Sequence, residues 1–313
     1  MDVEARARFD PVRRLPKANE RLLTLLQGKS ENDWAGPTNC GDWTIAQLAA
    51  HLVINAKFLA ESVLVCLDES TNRPNPSDPK QGKGGGEEPG LTPAAPPAPL
   101  DPPLPFGVAD LSAFNDWRGE ETARLVDGGP TLLLSEIEES ASGLQTQIRR
   151  IQHENASIPF WHPSGEGRLG YIPTFRLFEL QLHGWDVRVM DDPGARLDEE
   201  VLPLMTDRLP LMLGRYARLR SRPDHPRDRA RIVLTHPARN FLLDWRGPES
   251  RAAIDDGGPV AATLTGQSEV FVRLAGGRAD KEASERAGLF HVLGDAAAGN
   301  ALAEVLFRPL KYL

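Results

Sequence analysis

Cysteine is scarce in this chain. Cys40 and Cys66 are the only two in 313 residues. That is too few for a disulfide scaffold, and no C-x-x-C pair is present. Neither has a His–Asp set beside it in the sequence, and Cys66 reads as a small buried hydrophobe on a helix. An excess of positive charge is also lacking. Lys and Arg number 36 against 44 Asp and Glu, a net of -8, which argues against non-specific attraction to nucleic acid or anionic lipid. No apolar run approaches the ~20 residues of a membrane span, and the start lacks the basic, apolar, small-residue order of a signal peptide. The expectation is a cytoplasmic protein. No G-x-G-x-x-G, Walker A, H-E-x-x-H or G-x-S-x-G stands in a suitable context. The GKGGG at 82–86 follows no strand and opens no helix, so it is not a phosphate loop.

What is present is an ordinary globular composition, 40% hydrophobic and 26% charged, in a chain long enough for about two domains. Helical spacing of leucines marks Pro11 to Gln27, closed by Gly28. A turn-rich segment ends in NCGDWT, and Thr44 with Gln47 has the spacing of a capping box. From Thr44 to Leu67 runs a strong helix, with His51 and Asn55 interrupting its apolar face. Residues 69–107 are Gly-rich and then Pro-rich, a long insertion read as a spacer, with a lid as the alternative. Helical patterning resumes at Val108–Val126 and Leu132–Ile151. Pro173 opens another helix, to about Met190, and Leu197–Leu219 follows, with Pro203 and Pro210 each expected to bend or interrupt it. Short strands are expected at 231–235, 241–245 and 260–264. A helix follows to about Leu274, capped by Thr265 or Ser268, and 283–307 reads as mostly helical. The expected fold class is mainly α with a C-terminal α+β domain: a helical bundle over 1–194, then a small mixed-sheet domain over 195–313.

The stretch FRLFELQLHGWDV, Phe175 to Val187, carries Glu179 and His183 four residues apart. On an α-helix those positions lie one above the other on one face. The plain reading is an exposed i,i+4 pair, but Phe175, Phe178 and Leu182 share that side. His51, on the inward face of an earlier helix, completes two imidazoles and a carboxylate. This is a recurrent catalytic ligand set that favours zinc, is also accepted by iron, nickel or manganese, and leaves a position open for water or substrate. Asp186 is three residues beyond His183 and in reach of its second ring nitrogen. His153, His162, His225, His236 and His291 sit in turns or beside prolines and read as surface or structural residues.

W-x-x-P-T-x-x-x-D-W-T-x-x-x-L-x-x-H-L at Trp34 to Leu52, with E-L-Q-L-H-G-W-D-V at Glu179 to Val187, resembles the mycothiol-dependent maleylpyruvate isomerase family. The likeness covers roughly residues 10–190 without the insertion, and more weakly the segment after 195. It implies a DinB-like four-helix bundle followed by a sterol-carrier-protein-like domain. It also implies a divalent metal, usually zinc, on His51, Glu179 and His183. The cosubstrate would be mycothiol or another low-molecular-weight thiol, whose thiolate adds to a cis-enoyl dicarboxylate before bond rotation and elimination. An arginine of the second domain, Arg239, Arg246, Arg273 or Arg278, would clamp a substrate carboxylate. The partners implied are a small acidic substrate and a thiol, with no nucleic acid or membrane, in a monomer or homodimer. The alternatives are a thiol S-transferase, a metal-dependent hydrolase with a nearby acid as base, and a non-enzymatic lipid- or small-molecule-binding protein acting through an apolar cavity in the C-terminal domain.

Overall fold

A computed structural model describes residues 10–72, 105–107, 110–162, 167–222, 225 and 228–307. Helices come first: α1 (Pro11–Gln27), α2 (Ile45–Asn72), α3 (Leu111–Asp127) and α4 (Gly129–Ile148). Two short strands follow, β1 (Pro159–Phe160) and β2 (Gly167–Arg168), then α5 (Ile172–Asp191) and α6 (Leu202–Arg220). The remainder is β3 (Asp228–Thr235), β4 (Arg239–Trp245), β5 (Arg251–Ile254), β6 (Ala262–Gln267), α7 (Ser268–Ala275), α8 (Lys281–Arg286), β7 (Phe290–Gly294) and α9 (Ala296–Phe307). A helical bundle followed by a C-terminal mixed-sheet domain is therefore the architecture, as the sequence patterning leads one to expect.

The start of α2 shows why its sequence folds there. Thr44 N donates to Gln47 Oε1 at 3.0 Å and Gln47 N donates to Thr44 Oγ1 at 3.2 Å, a reciprocal capping box. The helix then runs past the expected end at Leu67 to Asn72, so the insertion begins later than its composition suggests. Most of that insertion, 73–104, and with it the choice between spacer and lid, lies outside the described residues. Within α2, Ile45–Asp68 is long and apolar enough to cross a membrane by length and composition, but 67% of that window is buried inside the protein. It is a core helix.

Two compact units emerge, one of Met1–Ala49 with Thr174–Leu313 and the other Ala50–Pro173. In the second, α3 packs on α4, and Phe58 meets Phe114 edge-on at 5.4 Å and Trp161 at 6.1 Å. Lys57 bridges Glu121 at 2.9 Å and Glu136 at 2.8 Å, tying three helices together. In the first, the sheet order is β5-β4-β3-β6-β7, antiparallel except for the β3–β6 pair. Helix α6 packs on β4 and β5. Gly214 permits this, since a Cβ there would sit 3.0 Å from Ala252 N.

Three expectations need correction. Pro203 falls in the first turn of α6, where its missing N–H costs nothing, and Pro210 does not interrupt α6, which runs from Leu202 to Arg220. Ser268 does not cap α7: its hydroxyl donates to Pro237 O at 2.7 Å. Residues 290–294, read as part of a helical stretch, form β7 because Phe290 to Gly294 pair with Gly266 to Ala262 of β6. That pairing is tertiary and overrides local composition.

Candidate metal centre

Helix α5 begins at Ile172 beside Pro173 and is buried nearly all round: Leu177, Phe178, Leu180, Leu182 and Trp185 are buried, and so are the polar Gln181, His183 and Asp186. Glu179 and His183 stand on it one turn apart, with His183 Nε2 3.4 Å from Glu179 Oε2. His183 is 2% exposed and Asp186 0%. Buried polar groups of this kind require partners, and here they have them. His183 Nδ1 lies 3.0 Å from Asp186 Oδ2. A carboxylate only accepts, so Nδ1 carries the proton and Nε2 is left as the nitrogen that can ligate, on the side of Glu179.

Asp186 is held in turn by Arg278, which donates from Nε to Oδ1 at 3.1 Å and from Nη2 to Oδ2 at 3.0 Å. Arg278 also donates from Nη1 to Gly276 O and from Nη2 to Cys40 Sγ, the latter at 2.8 Å. Asn39 N donates to Asp186 O at 3.1 Å. The Trp43 ring stacks on His183 at 6.3 Å between centroids. Burial pushes the His183 pKa down, but its hydrogen bonds with Asp186, Cys40 and Glu179 outweigh burial and hold the imidazole well above its ordinary value. Burial pushes Asp186 up, and His183 with Arg278 hold it below the usual carboxylate range. Surroundings that draw a proton onto a buried imidazole are surroundings that welcome a cation, which displaces that proton when it binds.

Two groups of potential ligands occur among the described residues. One, Cys40 with His183 and Asp186, is a buried cluster of metal-binding residue types. Arg278 Nη2 lies 2.8 Å from Cys40 Sγ, 3.0 Å from Asp186 Oδ2 and 3.4 Å from His183 Nδ1. The guanidinium is thus already the cation of that cluster. Glu179 Oε2 and His183 Nε2 lie on the other side of the imidazole from Asp186, 3.4 Å apart. His51 stands on α2, half-buried, six residues after Ile45.

The reading that neither cysteine has a His–Asp set is corrected for Cys40. It lies with His183, Asp186 and Arg278, which the chain brings to it from up to 238 positions away. Proximity along the sequence gave no signal of this. The four arginines of the sequence reading separate. Arg278 is the one at His183. Arg239 pairs with Asp207, Nη2 to Oδ2 at 3.4 Å. Arg273 sits 4.6 Å over the Trp185 ring and 3.9 Å from Glu269. Arg246 is exposed, 3.9 Å from Asp244, at a cleft with Arg229 and Glu249. Of the remaining histidines, His153, His236 and His291 are exposed, His162 packs on Phe58, and His225 bonds Arg222.

Residues 15–188, more than half of the chain, match the family model described as the mycothiol maleylpyruvate isomerase N-terminal domain. The crystal structure of the mycothiol-dependent maleylpyruvate isomerase is similar with a TM-score of 0.56 at 14% identity, over 87% of this chain and 89% of that one. A histidine-to-alanine variant of that isomerase aligns with a TM-score of 0.54, also at 14% identity, over 86% of this chain and 88% of that one. At such identity the likeness is one of fold. A ubiquinone synthesis protein of the sterol-carrier type aligns over 33% of the chain at 17% identity and 94% of its own length, with a TM-score of 0.27 that is too low to argue from. No curated protein matches the chain. The chain belongs to the mycothiol maleylpyruvate isomerase family.

Proposed function

We propose that this chain is a metal-dependent enzyme that activates a low-molecular-weight thiol, mycothiol or a relative of it, and isomerises a cis-enoyl dicarboxylate. His51, Glu179 and His183 would hold the divalent ion, with zinc favoured by two imidazoles and one carboxylate. The observation that carries the reading is the buried His183, fixed through Nδ1 by Asp186 at 3.0 Å so that Nε2 turns to Glu179. When bound, the metal supplies a thiol held as thiolate at neutral pH. The chain's own residues do the rest. Asp186 fixes the tautomer and orientation of His183, Arg278 keeps Asp186 ionised, and Trp43 covers the imidazole face. In the reaction the thiolate adds to one alkene carbon, the resulting single bond rotates, and expulsion of the thiolate restores the double bond in the trans form.

Two observations weigh against the alternatives. A hydrolase that used Asp186 as its base would need a free carboxylate oxygen, and both oxygens of Asp186 are committed to His183 and Arg278. A lipid carrier needs an apolar cavity. The cleft of about 730 Å³ in the first unit is mixed in character, with Arg220, Lys281, Glu282 and Glu304 beside Ala303, Val305 and Phe307. The test is elemental analysis of the purified protein and of His183→Ala, followed by turnover of maleylpyruvate with and without added thiol. The expected result is one metal per chain, lost in the variant, and turnover only with thiol. Turnover without thiol would support a hydrolytic or other reaction instead.

A further inference from the structure

Helix α5 carries Arg176, Glu179 and His183 on one stripe, at spacings of three and four. Arg176 is 1% exposed. Arg208, from α6, reaches the same neighbourhood. Its guanidinium carbon lies 4.6 Å from the Phe175 ring centroid and 5.7 Å from that of Phe178. Both arginines feel the Glu179 carboxylate, and burial pushes each down to about 10, which leaves them charged at neutral pH.

The aromatic faces account for only part of this. They stabilise the flat side of the Arg208 guanidinium, whereas its in-plane donors need an acceptor. Arg208 Nε is buried with no hydrogen-bond partner among the described residues. The Glu179 charge acts on both guanidiniums, and in the reading above that carboxylate would hold a divalent ion. A buried donor without an acceptor, as at Arg208 Nε, is costly, and the arrangement suits a bound anion. A guanidinium presents parallel N–H groups that match a carboxylate.

We propose that Arg208, with Arg176, forms the seat for a carboxylate of the small-molecule substrate beside Glu179. This rests on the preceding reading for the placement of the reacting carbon near the metal. It places substrate recognition on Arg208 of α6 and Arg176 of α5 instead of on Arg239, Arg246, Arg273 or Arg278, the four that the resemblance offered.

Titration calorimetry of the full-length, zinc-loaded chain tests it, with maleate as probe and dimethyl maleate as its uncharged counterpart. Maleate is expected to bind and the diester is not. Arg208→Met is expected to weaken maleate by about tenfold to a hundredfold at unchanged zinc content, while Arg239→Met leaves it unchanged. Unchanged maleate affinity in Arg208→Met, or equal binding of the diester, overturns the proposal. Repeating the titration on chelated protein separates the two readings. Arg208-dependent maleate binding in a chain that takes up no zinc keeps the seat and removes the metal centre. Zinc uptake with Arg208-independent binding does the reverse. Should Arg208→Met fail to fold, the wild-type chain carries the test. Maleate is then expected to shield Arg208 from phenylglyoxal in peptide mass spectrometry, and equal modification with and without maleate overturns the proposal.

Discussion

His183 is fixed by a relay that ends on a buried ion pair: Asp186 accepts from His183 and from Arg278, whose side chain is 2% exposed. Removing the charge at Asp186 does two separable things. It loosens the imidazole, and it leaves a buried guanidinium without its anion. Asp186→Asn is therefore expected to lower zinc affinity by about 10- to 100-fold in competition with a chelator. It is also expected to lower unfolding free energy in urea by about 3–5 kcal/mol. Zinc affinity equal to wild type would show that Asp186 does not orient the ligand. At this scale the sequence was half legible. Glu179, His183 and Asp186 share one helix, so their spacing exposes them. Cys40 and Arg278 join them only through folding, and nothing in their neighbours marks them.

Helix starts announce themselves through local chemistry, as the Thr44–Gln47 box does for α2. Thr44→Ala is expected to destabilise the chain by about 1 kcal/mol in urea unfolding, and Thr44→Ser to restore most of it. Strands pair at a distance and are harder to read. Phe290 to Gly294 resembles its helical surroundings in composition and becomes β7 only because β6 is there to receive it. Between helices, Glu121 is held down to about 2 from its usual 4.5, chiefly by its hydrogen bond to Arg124 and then by Lys57, against partial burial. A depressed carboxylate contributes stability above its unfolded pKa and loses it as pH falls through the folded one. Acid unfolding between pH 4.5 and about 2 should thus be shallower in Glu121→Gln than in wild type. The pair is partly solvated, so the difference is expected to be modest. Parallel acid limbs would contradict the assignment.

The whole molecule reads most clearly as a member of its family: two sequence motifs marked it, and residues 15–188 match the family model. The fold is shared with an isomerase at 14% identity. Packing tolerates such divergence in sequence while the fold is kept. A metal that binds the folded chain and not the unfolded one raises stability by about 4 kcal/mol at a thousandfold excess over Kd, so zinc should raise the unfolding midpoint and a chelator reverse it. The most direct test of the central claim is X-ray absorption at the zinc edge of the loaded chain in thiol-free buffer. Ligation by His51, Glu179 and His183 predicts a shell of nitrogen and oxygen at about 2.0–2.2 Å with histidine scattering. A sulfur contribution at about 2.3 Å would place the ion on Cys40 instead and contradict the account.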